Sequence, residues 1–272
     1  MVKKNTKDDK LCKGKDFGFK DTSYCSFWLY NSHRDVLSKH FKDKFVNFYD
    51  EKELLSEFNP NIAKNIISFW SEPQDKILDP FAGRTRALIA YSMDRAYIGY
   101  EISKHVSDYI HERFKELELD TRDNFNVKIN NNDCRDIEGD YYQKEEFDLI
   151  FTCPPYWNLE KYESSPGQLS DIKDYDMFIY ALANRLNIAV SALKKGKYMA
   201  IVIGDFRKNK KYYTLHCDLI KAMEKNDSIK LHDVIVMQNM PFNTSAYYFG
   251  SKRKYKFTSK AHEYLLIWKK ND

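Results

Sequence analysis

The chain has few of the residues that staple a fold together or interrupt it. Its 272 residues include only five cysteines, at positions 12, 25, 134, 153 and 217, and no CxxC pair. An odd, scattered set excludes a disulfide framework and a structural zinc site, so no metal is expected, and it suits a reducing, cytoplasmic setting. No apolar run approaches the ~20 residues that span a bilayer, so no membrane partner is expected. The opening Met1-Val-Lys-Lys-Asn-Thr-Lys lacks the apolar core of a signal peptide. There are nine glycines and seven prolines, and no G-x-G-x-x-G run. Without that glycine set a turn cradles a pyrophosphate poorly, which argues against NAD and for a nucleoside without phosphates.

Aromatic and charged residues are plentiful. Twenty tyrosines, 18 phenylalanines and 31% charged residues describe a globular protein able to bury a sizeable core. The net charge of +4 permits an acidic partner without requiring one. Its distribution is more informative. Seven lysines fall within the first 20 residues, and Lys252-Arg253-Lys254-Tyr255-Lys256 is a second cluster. Such clusters are either solvated surface or a footprint for nucleic acid.

Residues 1–22 read as a basic flexible tail and residues 23–56 as a helical extension. Glu51 to Trp70 carries a helical signal, with Asn61 after Pro60 as a cap and Ile62, Ile66, Ile67 and Trp70 on one face. Strands and helices then alternate. Strands are expected at 76–79, 96–101, 126–129, 147–152, 197–203, 232–238 and 263–268. Helices are expected at 85–93, 105–119, 175–193 and 215–224. That order implies βαβ units and a mostly parallel sheet with helices on both faces. No repeat or linker divides it, so residues 57–272 form one α/β domain.

The chemistry centres on Phe147 to Trp157, Phe-Asp-Leu-Ile-Phe-Thr-Cys-Pro-Pro-Tyr-Trp. An apolar run predicts a strand buried on both faces. Two prolines then end its hydrogen-bond ladder and leave the chain extended with two aromatics beside it. In an open α/β sheet this carboxyl edge is where ligands bind. A second feature is the turn Asp79-Pro80-Phe81-Ala82-Gly83 between the first strand and its helix, where unpaired N–H groups face a ligand. Glu101 ends the next strand, where an acid accepts both hydroxyls of a ribose.

These residues carry a resemblance. Asp-Pro-Phe-Ala-Gly at 79–83, Tyr-Ile-Gly-Tyr-Glu at 97–101 and Thr-Cys-Pro-Pro-Tyr-Trp at 152–157 look like the amino-methylating DNA methyltransferases. Phe-Asn-Pro-Asn-Ile-Ala at 58–63, Asn-Asp-Cys-Arg-Asp at 132–136, Gly-Asp-Phe-Arg at 204–207 and Lys-Ala-His-Glu-Tyr at 260–264 extend the match in order. The resemblance implies a single Rossmann-like class I methyltransferase domain, with a seven-stranded, mostly parallel sheet and an antiparallel last strand. It implies S-adenosyl-L-methionine as cofactor and N4 of cytosine or N6 of adenine as target. By the same resemblance, Asp79, Phe81 and Gly83 line the cofactor's carboxyl-amino end, with Phe58 and Asn61 as further contacts. Glu101 holds the ribose, Ile102 meets the adenine, and Asp133 lies near its amine. Cys153, Pro154, Pro155 and Tyr156 form the catalytic pocket, and Trp157 joins Tyr156 in stacking on the base.

Two departures stand out. The family's residue before Pro-Pro is Asp, Asn or Ser, and this chain has Cys153. Arg84-Thr85 replaces a small residue followed by glycine. Trp157 resembles the version common among N4-cytosine enzymes. Asp205 and Arg207 are expected to pair near the pocket, with a substrate contact as the alternative. DNA contact is expected from Lys252, Arg253 and Lys254 within 240–260, and from 158–174, with recognition brief or delegated to a partner protein. An RNA base as substrate, or an inactive nucleic-acid-binding subunit of the same fold, are the other readings.

Overall fold

The computed structural model describes residues 27–29, 58–116, 127–141, 144–159, 164–238, 256, 260 and 262–272. The tail, most of the extension, Lys252, Arg253 and Lys254 lie outside the described residues.

Apolar runs become strands: β1 (Phe27–Leu29), β2 (Lys76–Asp79), β3 (Ala96–Tyr100), β4 (Val127–Asn130), β5 (Phe147–Thr152) and β6 (Leu193–Ile203). A short hairpin, β7 (Phe206–Lys208) and β8 (Lys211–Tyr213), precedes β9 (Ile229–Gln238) and β10 (His262–Lys270). Helices α1 (Pro60–Trp70), α2 (Arg84–Ser92), α3 (Lys104–Glu116), α4 (Ile137–Tyr141), α5 (Tyr175–Ala192) and α6 (Leu215–Met223) intervene. The main sheet runs β1-β9-β10-β6-β5-β2-β3-β4. β10 is antiparallel to both neighbours, and every other pairing in that sheet is parallel. Seven of these strands form the expected sheet.

The eighth strand is a correction. Residues 27–29, expected within a helical extension, pair in parallel with β9 at the sheet edge. A three-residue strand has no periodicity from which to be read. A second correction concerns the start of α1. Asn59, not Asn61, is its cap, accepting the Asn61 N–H at 2.9 Å, while Pro60 takes the first helical position.

Strand alternation feeds two cores, one on each face. Ile77, Leu149, Phe151 and Val202 pack with Ile66 of α1, Leu88 of α2 and Phe114 of α3. Leu78, Phe147, Ile150 and Ile201 pack with Leu182 of α5 and Leu219 of α6. β5 is buried along its whole length, as its unbroken apolar run requires. Strand order reverses between β2 and β5, which opens a crevice beyond their carboxyl ends.

Candidate active site

Asp79 closes β2 and is fully buried. Its Oδ1 accepts from the Phe81 N–H at 3.0 Å and the Thr152 hydroxyl at 2.7 Å. Its Oδ2 accepts from Arg86 Nε and the Tyr97 hydroxyl, both at 2.6 Å. One carboxylate thus ties the β2 turn, α2, β3 and the end of β5 together. It lies beneath the crevice, with both oxygens committed to protein donors. Gly99 makes the close approach possible. A Cβ there would lie 2.7 Å from Ala82 Cβ.

Arg86 was not among the residues singled out from the sequence. It is buried, holds Asp79, and donates from Nη2 to the Phe81 carbonyl at 2.5 Å. Burial of the guanidinium opposes its charge, but Asp79 outweighs this and raises its pKa. Its guanidinium lies over the Phe58 ring at 5.2 Å and against Gly83, where a Cβ would sit 2.7 Å from Nη2 and 2.9 Å from Nη1. The signal was present as an arginine three residues past the turn's glycine. Arg84 points elsewhere, donating to the Tyr109 hydroxyl of α3 at 2.7 Å.

The other expected cofactor residues surround the same edge. Glu101 follows β3, and its Oε1 accepts the Ser103 N–H at 2.7 Å. Burial pushes its pKa up to about 7. Ile102 and Asp133 approach each other through Gly167, whose φ is 95°. A Cβ on Gly167 would lie 3.3 Å from Ile102 Cδ1 and would collide with Asp133. Asp133 caps a short 3-10 turn, accepting from Arg135 N at 2.9 Å and Arg135 Nη2 at 2.8 Å. Burial raises its pKa, but these bonds and the Arg185 charge together bring it below the usual value. Phe58 packs edge-on to Phe151 at 5.7 Å. Asn61 Oδ1 is buried and has no hydrogen-bond partner among the described residues.

That set fits a nucleoside with an amino-acid tail. Asn61 Oδ1 is a buried acceptor with no partner among the described residues, Glu101 is a carboxyl just beyond β3, and Phe81 and Ile102 are half-buried apolar side chains.

Beyond β5, Cys153 Sγ lies 3.7 Å from the Tyr156 hydroxyl, which donates to Glu263 Oε1 of β10 at 2.8 Å. Burial, then Cys153 and Glu263, hold the Tyr156 phenol well above its usual pKa. Trp157 corrects an expectation. It is 7% exposed, donates from Nε1 to the Ile172 carbonyl at 2.8 Å, and packs on Tyr175 and Tyr213. The indole is core, closed off from a base. Its φ of 56° is left-handed, and packing is what holds it there. Asp205 also differs from expectation. Its Oδ1 lies 2.6 Å from His216 Nδ1, and Arg207 lies over the Tyr212 ring instead. No group of three or more His, Cys, Asp or Glu among the described residues is placed to hold a metal. No helix among them is long and apolar enough to cross a membrane.

Solved structures share this architecture. An S-adenosylmethionine-dependent methyltransferase from Methanosarcina mazei aligns with a TM-score of 0.50 at 11% identity, covering 76% of this chain and 97% of that one. The 4+2 cyclase SpnF aligns at 0.51 with 10% identity, covering 80% and 84%. Fold and edge together define the class I methyltransferase architecture, which alone does not fix an activity. The sequence supplies the rest: the chain belongs to the N6/N4 methyltransferase family of DNA methylases, whose model matches residues 5–112 and 147–272. It is a methyltransferase with S-adenosyl-L-methionine as its cofactor. A DNA modification methylase from Thermus thermophilus is 23% identical over 52% of each chain, with a TM-score of 0.38. No curated protein matches the chain.

Proposed function

We propose that the chain transfers a methyl group to the exocyclic amine of a flipped DNA base, N4 of cytosine in preference to N6 of adenine. The observation that carries this reading is the Thr152–Asp79 bond at 2.7 Å. It couples the cofactor turn to the Pro-Pro-Tyr segment, so donor and acceptor sites keep one geometry, and orientation is the main catalytic contribution in such a transfer. Trp157 in Cys-Pro-Pro-Tyr-Trp supports cytosine through the motif's resemblance.

The cofactor supplies an electrophilic methyl on a positively charged sulfur. Glu101 holds the ribose, Ile102 and Asp133 the adenine, and Phe58, Asn61, Phe81, Gly83 and Arg86 the methionine end. A base inside a duplex cannot present its amine there, so it is extruded at a cost of a few kcal/mol. Stacking on the Tyr156 ring returns roughly 1–3 kcal/mol. The Pro154 carbonyl accepts a hydrogen bond from the amine and Pro155 keeps the segment extended. Lys252, Arg253 and Lys254 contact phosphates.

The test incubates purified protein with tritiated cofactor and separate DNA and RNA pools, followed by nucleoside mass analysis. N4-methylcytosine in DNA is the expected product. N6-methyladenine would overturn the base preference, and label confined to RNA would overturn the DNA assignment. Tyr156→Ala should lower transfer at least about 10²-fold with S-adenosylhomocysteine affinity nearly intact. If affinity vanished as well, Tyr156 would belong to the cofactor site.

A further inference from the structure

Cys153 stands where the family resemblance places a side-chain oxygen. A thiol is a weak acceptor, so the Pro154 carbonyl alone would orient the amine unless another oxygen takes over. The Tyr156 hydroxyl is positioned for that task, 3.7 Å from Cys153 Sγ and donating to Glu263 Oε1 at 2.8 Å. Glu263 arrives from β10, 107 residues later in sequence. Gly204 leaves room for Lys260 beside the pair, since a Cβ there would collide with Lys260 Nζ. A Cβ there would lie 3.2 Å from the Tyr156 ring and 3.4 Å from Glu263 Cγ. Lys260, donating to the Asp205 carbonyl at 2.5 Å, stands 6.0 Å from the same ring.

We propose that the Tyr156 hydroxyl oxygen, polarised by Glu263, accepts the target amine's proton in place of the residue at 153. This rests on the amine-methylation reading. A hydroxyl that donates to a carboxylate becomes a better acceptor. The raised phenol pKa keeps the proton on Tyr156, directed at Glu263. In the transfer, the amine lone pair forms the N–C bond while the C–S bond breaks and leaves its pair on sulfur. As nitrogen gives one proton to Tyr156 Oη, the phenol passes its own to Glu263 in the same step and so stays protonated, and Glu263 returns the proton to water. Tyr156 is the catalytic residue and Glu263 a positioning residue behind it.

The experiment measures kcat for tritium transfer to unmethylated DNA by the full chain, with S-adenosylhomocysteine affinity as the check on folding. Tyr156→Phe keeps the stacking ring and should lower kcat about 10²-fold, and Glu263→Gln about 10-fold. Neither should change S-adenosylhomocysteine affinity. In a Cys153→Asp background, where a side-chain oxygen is restored, both losses should shrink to less than about 3-fold, because coupled residues are non-additive. Wild-type kcat in Tyr156→Phe, or undiminished losses in Cys153→Asp, would overturn the proposal. A wild-type chain that binds S-adenosylhomocysteine but labels no DNA would overturn the methylation reading, and this inference with it.

Discussion

Asp79 closes β2 and Glu101 follows β3, and the two carboxyls differ in their partners. Asp79 is compensated by four donors, the Arg86 guanidinium among them. Removing one partner of such a buried pair costs about 3–5 kcal/mol, because it strands the other charge. Glu101 accepts the Ser103 N–H but is desolvated, with no cation in contact among the described residues, and its pKa rises to about 7. The sign follows from the chemistry. The carboxylate is the better acceptor for a ribose diol, and below pH 7 it must first lose a proton. S-adenosylhomocysteine should therefore bind about 10-fold more weakly at pH 6 than at pH 8, one pH unit being 1.36 kcal/mol. Calorimetry across that range checks this, and Glu101→Gln should bind weakly with a flat profile. A wild-type profile as flat as the variant's would remove Glu101 from the ribose site.

The long elements were legible because each obeys one dominant constraint. β5 is buried on both faces, so Phe147-Asp-Leu-Ile-Phe-Thr reads as a strand of the same bounds in sequence and structure. Helix α5 matches its expected span to within a residue. What stayed hidden depends on contacts that cross the chain. β1 and the β7–β8 hairpin are three-residue strands whose only reason to exist is their partners. Arg86 is an ordinary helix arginine until the turn brings Asp79 to it. Trp157 is the sharpest case, since an aromatic after Pro-Pro-Tyr suits base stacking and core packing equally. The structure decides for the core, where the indole anchors the turn that sets Tyr156. Trp157→Ala should cost about 3–5 kcal/mol through the cavity it leaves, and Tm should fall by roughly 10 °C at about 2–4 °C per kcal/mol. Trp157→Phe keeps most of the packing and loses the bond to the Ile172 carbonyl, worth about 1 kcal/mol. Thermal melts distinguish the two. An alanine variant as stable as wild type would mean the turn is held elsewhere.

For the molecule as a whole, a net charge of +4 is too small to draw DNA by itself. Affinity for a polyanion must come from local clusters, since charges further apart than about 8 Å are largely screened at physiological salt. The proposed reaction needs a basic segment for the phosphates, and Lys252-Arg253-Lys254 is the longest unbroken run of basic residues within 57–272. Each phosphate contact releases condensed counterions and adds about 0.9 to the slope of log affinity against log salt. Replacing the three residues with alanine should lower that slope by about 2–3 on duplex DNA. It should weaken binding evenly across sequences, since phosphate contacts carry no base information. S-adenosylhomocysteine affinity should not change, because the cofactor contacts proposed above lie on other segments. Binding measured between 50 mM and 200 mM salt is the check. A slope equal to that of the wild type would place the phosphate contacts on another segment, with the lysines among residues 1–20 next to be replaced.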